Sequence, residues 1–423
     1  MTDASGSRIR VAIIGGGLAG TTVANALIQI PHLEVQVYES APTFSERGAA
    51  VGFDSHALGV LELILPGQKD EILKKAKAVA LNSVRNVMGS GPSAGQIVAD
   101  LDGEDSGVIV HRASLLRELV ARLPKEALHT DKKLAKLDLK HGTGAIQVTF
   151  YDGTTSESDV VIGADGIFST VRSHVLQDST NDFAASPAGF WDSRILVPFE
   201  KAKAILGAEK FEVDRQCGYI GDGAFVMHDV LEDRTVVQCI ISAIEREPTR
   251  DRKRALTRES LTKTLGAWLD GPIGKEIIEL SLEQQDLHGY SQWEHKATPT
   301  YSHGNTCLIG DAAHAMTPWQ GSGAAMAFED VAVLQELLRN TGSPADICAA
   351  LKAYDMVRRP RCQRVINSSR ETGIILCGKD AKADLDPQKI GEALAHMWDF
   401  IMGLDMRAHR ADALKTFREM DRA

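Results

Sequence analysis

The chain has 423 residues, with 47 Lys and Arg against 57 Asp and Glu for a formal net charge of −10. With 43% hydrophobic and 25% charged residues it reads as globular, which excludes collagen-like, coiled-coil and disordered chains. The length predicts two domains, or one large domain carrying an inserted second, and the acidic balance disfavours nucleic acid or an anionic membrane as partner. The longest apolar runs, such as Val11 to Ile14 and Ile374 to Cys377, fall far short of the ~20 residues of a membrane span.

In chain order, Arg10 to Ile14 is a short β-rich run that leads straight into Gly15-Gly16-Gly17-Leu18-Ala19-Gly20. A helix with Val23, Leu27 and Ile30 on one face follows, then a strand from Glu34 to Glu39 alternating around Val35 and Val37. That is a βαβ unit. A helix opens at Arg112, with Leu115, Leu116, Leu119, Val120 and Leu123 stacked on one side. Ile146, Val148 and Phe150 alternate before an Asp152-Gly153 hairpin turn and a return strand toward Val160 and Val161. From Ser179 to Leu282 aromatic and charged residues interleave around strands such as Thr235 to Ser242, which predicts a second, mostly antiparallel domain. The charge run Glu245 to Arg258 inside it reads as a solvated loop and helix face. The first texture returns at Cys307 to Asp311, and the tail from Ala345 to Ala423 is helical in pattern. The expected boundaries are 1–75, 98–178 and 283–345 for a discontinuous first domain, 76–97 and 179–282 for the second, and 346–423 for a C-terminal helical segment.

Cys217, Cys239, Cys307, Cys348, Cys362 and Cys377 form no C-x-x-C pair and no zinc spacing, so free thiols and no metal are expected. The first residues, Met1 to Arg10, lack an apolar signal segment, and a cytoplasmic location is the expectation.

The spacing Gly15-x-Gly17-x-x-Gly20 between a strand and a helix is a dinucleotide fingerprint. Gly15 makes the tight turn, Gly17 admits a pyrophosphate to the backbone, and Gly20 lets helix and strand pack closely. A helix N-terminus then faces the anion, and Glu39, 19 residues beyond Gly20, stands where a carboxylate meets an adenosine ribose. Two further glycine-acid turns accompany it. Val160 to Gly163 runs into Ala164-Asp165-Gly166, followed by Ser169 and Arg172, with Asp165 read as capping a helix start; Cys307 to Gly310 runs into Asp311-Ala312-Ala313-His314, followed by Pro318 and Gly321-Ser322-Gly323.

Together, in this order, the three motifs resemble those of the flavoprotein aromatic hydroxylases, the single-component FAD monooxygenases of the para-hydroxybenzoate hydroxylase type. The likeness runs from Val11 to about Leu351 and is weakest in the second domain. Trp293-Glu294-His295, Ala297 to Tyr301 and Gly310 to Gly323 are most similar to fungal salicylate-hydroxylase-like enzymes. The resemblance implies an α/β fold: a Rossmann-type FAD-binding domain, an inserted antiparallel-sheet substrate domain and a helical C-terminal segment. It implies FAD as cofactor, with NADH or NADPH and O2 as co-substrates, and a monomer or homodimer. Gly15, Gly17, Gly20, Glu39, Arg47, Gly52, Arg112, Asp165, Asp311, Gly321, Gly323 and Ala324 become the expected FAD residues. Arg112 equally reads as a surface salt bridge at a helix start, and His314 as structural.

The chemistry implied is hydroxylation of a small phenolic or aromatic acid through a flavin C4a-hydroperoxide, which requires a site that binds a phenol and excludes water. Arg194 matches a position that holds an anionic oxygen in related enzymes, and its donor fork suits a carboxylate or phenolate. His228 falls where many relatives carry Tyr-Pro; it is the favoured base, with Tyr219 and Asp222 as rivals, and it equally reads as a histidine bonding the sheet. Tyr219, Pro318 and Trp319 are expected in the pocket, Trp319 as an aromatic wall or as core. Trp319 stands where some salicylate-type members place a histidine, which puts decarboxylating hydroxylation in doubt. Alternatives are an FAD monooxygenase epoxidising or dearomatising a larger fungal metabolite, an NAD-dependent dehydrogenase, and a non-catalytic flavin-fold binding protein.

Overall fold

The computed structural model describes residues 8–45, 50–81, 83–102, 107–140, 144–213, 215–231, 234–248 and 251–420. β1 (Ile9–Ile14) is apolar over most of its length and buried on both faces, as a central strand of a parallel sheet flanked by helices must be. α1 (Leu18–Leu27) leads from it into β2 (Leu33–Tyr38), which pairs with β1 in parallel so that Val11 faces Val35 and Ile13 faces Val37. β3 (Ala50–Phe53) precedes α2 (Ser55–Ile64), whose first turn is capped by Asp54 accepting from Ala57 N. β4 (Val108–His111) pairs antiparallel with β3, Ala50 opposite His111, and runs directly into α3 (Arg112–Val120), whose Leu115, Leu116 and Leu119 are buried. The Asp152-Gly153 turn forms with Gly153 at φ +82° between Ile146–Phe150 and Thr155–Ser158. β5 (Val160–Gly163) then lies against the other side of β1, and α4 (Thr170–Leu176) follows.

The chain next builds an eight-stranded sheet. β6 (Ser186–Pro198), β7 (Gln216–Gly221), β8 (Ala224–Leu231), β9 (Val236–Ile244) and β10 (His288–Glu294) form its body, with the short strand Lys253–Ala255 at one edge and Ser83–Met88 and Ile97–Asp102 at the other. The pairings are antiparallel except that of β7 with Ser83–Met88. One face is covered by the helices Phe199–Leu206, Arg258–Thr264 and Gly274–Leu282 around Trp268, which is wholly buried. The glycines Gly89, Gly221 and Gly274 pack against that indole so closely that a Cβ on any of them would overlap it or its backbone.

β11 (Thr306–Leu308) returns to the first sheet beside β5. α5 (Gly323–Arg339) and the 30-residue α6 (Ile347–Leu376) close the core, and shorter helices finish the described chain. Among the described residues no helix is long and apolar enough to cross a membrane.

The boundaries differ from expectation in three places. Val79–Ala80 pairs with β4 and so belongs to the first domain, whereas Ile97–Asp102 and β10 belong to the eight-stranded sheet. β10 escapes a sequence reading because its buried positions are Gly289, Ser291, Gln292 and Glu294, which form no apolar rhythm. The charge run is not merely solvated. Arg252 stacks on Phe168 and Trp293 at 4.8 and 5.1 Å, and Arg254 lies over Trp191 and pairs with Glu245.

Truncating the indole at the centre of the helix-covered face, Trp268→Ala, is expected to cost about 3–5 kcal/mol. Guanidinium unfolding followed by tryptophan fluorescence and circular dichroism measures it, and an unshifted midpoint would contradict the packing described.

Candidate active site

The first motif folds as the spacing requires. Gly15 takes φ +108°, and a Cβ there would lie 2.3 Å from the Ala164 carbonyl oxygen; on Gly20 it would lie 1.9 Å from that of Gly15. Gly17 is the N-cap of α1 and supplies no capping side chain, so the first N–H groups of the helix are open to an anion. Glu39 ends beside this turn, its carboxylate accepting from Gly16 N and Ala41 N, each at 2.7 Å.

The second motif folds around the start of α4. Asp165 accepts from Thr170 N at 2.7 Å, Val171 N at 3.2 Å and the Ser169 hydroxyl, while Ser169 accepts from Arg172 N and caps α4. The side chain expected to meet cofactor is thus spent on the start of α4, where burial raises its pKa against these hydrogen bonds. Arg172, half of whose role was hidden in the sequence, is buried and donates to the carbonyls of Ala312, Ala313 and Phe183 and to Thr298. It ties the second motif to the third, and burial pulls its guanidinium down to about 10.

In the third motif Gly310 adopts φ +56° and donates its N–H to Asp330. Asp311 is exposed at the start of a short helix. At Gly321 and Gly323 an added Cβ would meet nothing within 4 Å, at Gly52 only the Val108 carbonyl at 4.0 Å, and α5 begins there without a capping side chain. Two uncapped helix starts, α1 and α5, Glu39 and the free-standing Asp311 make a donor and acceptor set that fits FAD, with room over the small residues for its ring. Arg112 opens α3 beside β4, half-buried. Arg47 lies outside the described residues.

Behind the third motif is a cluster that sequence spacing did not reveal. Arg358 on α6 donates to Asp330 at 2.9 Å and Glu329 at 2.6 Å, both on α5, and all three side chains are fully buried. Glu329 also receives Arg361 and His56, each at 3.0 Å, and the cations hold it well below the usual carboxylate range against the burial that would raise it. His314 meets Asp330 at 2.6 Å; desolvation alone would lower it, but the charge of Asp330 helps hold it well above the usual histidine value. His314, Asp330 and Cys362 come within metal-ligating reach of one another, yet Arg358 already lies 3.4 Å from the Cys362 sulfur and against Asp330, so a cation occupies that place.

On the eight-stranded sheet, the alternation of strands sorts the substrate candidates. Arg194 is exposed on the face opposite the covering helices, with Asp192 accepting from its Nε at 2.8 Å. Phe190 and Phe225, on that same face, meet Trp319 with ring centres 5.0 and 6.0 Å away, and Pro318 is exposed. His228 and Tyr219 are the corrections. They lie with Cys217 and Cys239 on the helix-covered face, His228 5.3 Å from the Phe211 ring and 5.9 Å from that of Tyr219. A side chain one residue out of step points through the sheet. Burial pushes Tyr219 well up and His228 down to about 4, and both side chains face away from Arg194. Asp222, the other rival, pairs with Lys379 at the rim.

A family model described as an FAD binding domain matches residues 8–369. The chain belongs to this family. It is 33% identical over 433 residues to 6-methylsalicylate 1-monooxygenase of Aspergillus terreus, covering 98% of this chain and 93% of that protein. To a salicylate hydroxylase of Pseudomonas putida it is 31% identical over 422 residues, 96% and 94% of the two chains. The solved structure of a salicylate hydroxylase substrate complex superposes with a TM-score of 0.83 at 25% identity, covering 96% of this chain and 98% of that one. The protein is an FAD-dependent monooxygenase of the salicylate hydroxylase type.

Gly20→Ala is expected to weaken FAD at least about tenfold, or ~1.4 kcal/mol, because its Cβ has no room beside Gly15; flavin fluorescence titration of the apoprotein reads it. His228 binds its proton only near pH 4 when folded and at ~6.5 when unfolded, so it subtracts stability as pH falls from about 6.5 toward 4. His228→Phe therefore flattens that part of a melting-temperature profile, and a profile parallel to wild type would refute this account.

Proposed function

We propose that this enzyme takes electrons from NADH or NADPH and uses O2 to hydroxylate a small phenolic or aromatic acid of the salicylate class. The observation that carries the reading is Arg194: a guanidinium on the open face of the sheet, its Nε turned to Asp192 and its remaining donors suited to a carboxylate or phenolate. The names of the relatives, which act on salicylate and 6-methylsalicylate, support the same class.

Bound FAD supplies a ring that accepts electrons from the pyridine nucleotide and delivers activated oxygen. The chain's own residues do the rest. Gly15, Gly17 and the start of α1 receive the pyrophosphate, Glu39 the ribose, and Asp311 with the start of α5 the ribityl chain and the polar edge of the ring. On the substrate side Arg194 anchors the anion, and Met227 and Ile240, cross-strand partners beside it, offer an apolar bed for the aromatic ring. Trp319, Phe190 and Phe225 form an aromatic cluster on the same face, a wall suited to an aromatic ring.

The deciding experiment is the flavin absorbance of the purified enzyme under argon as NADH or NADPH is added, with and without salicylate, 6-methylsalicylate and other phenolic acids. Faster bleaching with one acid identifies it as effector and substrate; bleaching indifferent to every small acid returns the larger metabolite to first place. Arg194→Ala is expected to raise KM for that acid by ~2–4 kcal/mol equivalent, about 30- to 1000-fold, with FAD binding intact. An unchanged KM would remove Arg194 from the site.

A further inference from the structure

One residue away from His228, Asp229 points through the opposite face of β8, and it is 2% exposed. Its cross-strand partner is Gln238 on β9, 3% exposed, whose Nε2 donates to Asp229 Oδ2 at 3.2 Å. The amide oxygen of the same Gln238 accepts from the backbone N–H of Ala50, also at 3.2 Å. Gln238 belongs to the eight-stranded sheet and Ala50 is the first residue of β3, so this hydrogen bond crosses between the two domains. Ala50 stands opposite His111, the residue before Arg112, and two positions before Gly52.

We infer that Asp229 is a positioning residue: by orienting the Gln238 amide it latches Ala50 N–H and holds the β3 edge of the FAD cleft against the substrate-side sheet. The inference rests on the assignment of β3 to the cofactor edge. An ionised carboxylate can only accept, so it fixes which end of the glutamine amide faces it, and the oxygen must turn toward Ala50. A protonated carboxyl can donate instead, which releases the amide to turn and oppose its NH2 to the Ala50 N–H. Donor would then face donor, and the latch opens.

The surroundings place that change near neutrality. Burial pushes Asp229 up to about 6, while Gln216, Gln238 and the charge of Arg194 restrain the rise. Gln216 comes from β7, Gln238 from β9 and Arg194 from β6; the nearby thiols of Cys217 and Cys239 are pushed up to about 11 and about 12 by burial and stay neutral. Among the described residues no donor has hydrogen-bond geometry to the second oxygen, Oδ1, and Gln238, which makes the latch, is one of the two side-chain donors that favour the ionised form, beside Gln216. The latch is therefore closed above about pH 6 and lost as pH falls through it.

Hydrogen exchange at the Ala50 amide, read by mass spectrometry of the holoenzyme at about pH 7.5 and pH 5 and corrected for chemical exchange, tests this directly. In wild type the protection falls roughly fivefold or more at the lower pH, the worth of one hydrogen bond. Asp229→Asn, which does not titrate and carries a donor as the protonated acid does, shows reduced protection at both pH values. Gln238→Leu loses it at both and weakens FAD roughly fivefold at the higher pH. Protection unchanged in Gln238→Leu, or a wild-type pH dependence surviving in Asp229→Asn, would overturn the latch. Ala50 opening with FAD affinity unmoved would instead overturn the placement of β3 at the cofactor edge. Because none of these readouts uses turnover, an error in the substrate assignment would leave them unaffected.

Discussion

The arrangement on which the cofactor side depends is a guanidinium without water. Arg358 is sealed between Glu329 and Asp330, and removing three charged groups from solvent is costly unless every one of them is matched. The matching extends the cluster outward. Asp330 takes the N–H of Gly310 and the imidazole of His314, which sets the third glycine turn. Glu329 takes His56 on α2 and Arg361 on α6, and Arg361 in turn donates to the carbonyls of Phe400 and Ile401. One buried cluster therefore fixes the turn before Asp311, the helix after β3 and the C-terminal helices, and breaking any pair would strand a charge in the core.

Arg172 joins the second motif to the third in the same way, with neutral partners. Its four acceptors are three carbonyls and a hydroxyl, so it is a buried cation stabilised by dipoles rather than by a carboxylate, and its lowered pKa expresses what that costs. The carbonyls of Ala312 and Ala313 that it holds lie immediately after Asp311. Asp165 belongs to the same device, since the helix start it stabilises is the one that carries Arg172. The conspicuous glycine-acid turns are thus kept in shape by arginines that no motif spacing announces.

This explains what was legible. The glycine spacings read correctly because Gly15 and Gly20 answer to purely local demands, a positive φ and a backbone approach, and α3 read correctly because its leucines share one helical face. Arg358 and Glu329 stand 29 positions apart and Gln238 and Ala50 stand 188 apart; such pairings leave no local trace. The placement of His228 turned on strand parity alone. A histidine in Phe225-Val226-Met227-His228 is chemically the better base, but the fold decides which face it occupies, and the parity of β8 follows from Val226 and Ala224 being wanted in the helix-covered core. The strand β10 stayed hidden for the converse reason, because its buried positions are polar.

The same parity turns Asp229 toward the side of the sheet where the domains meet. Among the described residues Asp229 Oδ1, the Trp319 indole N–H and the Gln320 amide oxygen are buried without partners, as are Arg172 Nε and His314 Nδ1 on the cofactor side. Trp319 cannot retreat to find one, because Gly373 of α6 lies against its indole nitrogen so closely that even a Cβ would overlap it, and Phe190 and Phe225 hold its faces. On the cofactor side the buried guanidinium of Arg358 is paired with Glu329 and Asp330, and on the substrate side the shape of the wall is set by ring packing. A ligand held by Arg194 against that face would meet a wall whose shape is set by the packing of Trp319, Phe190 and Phe225.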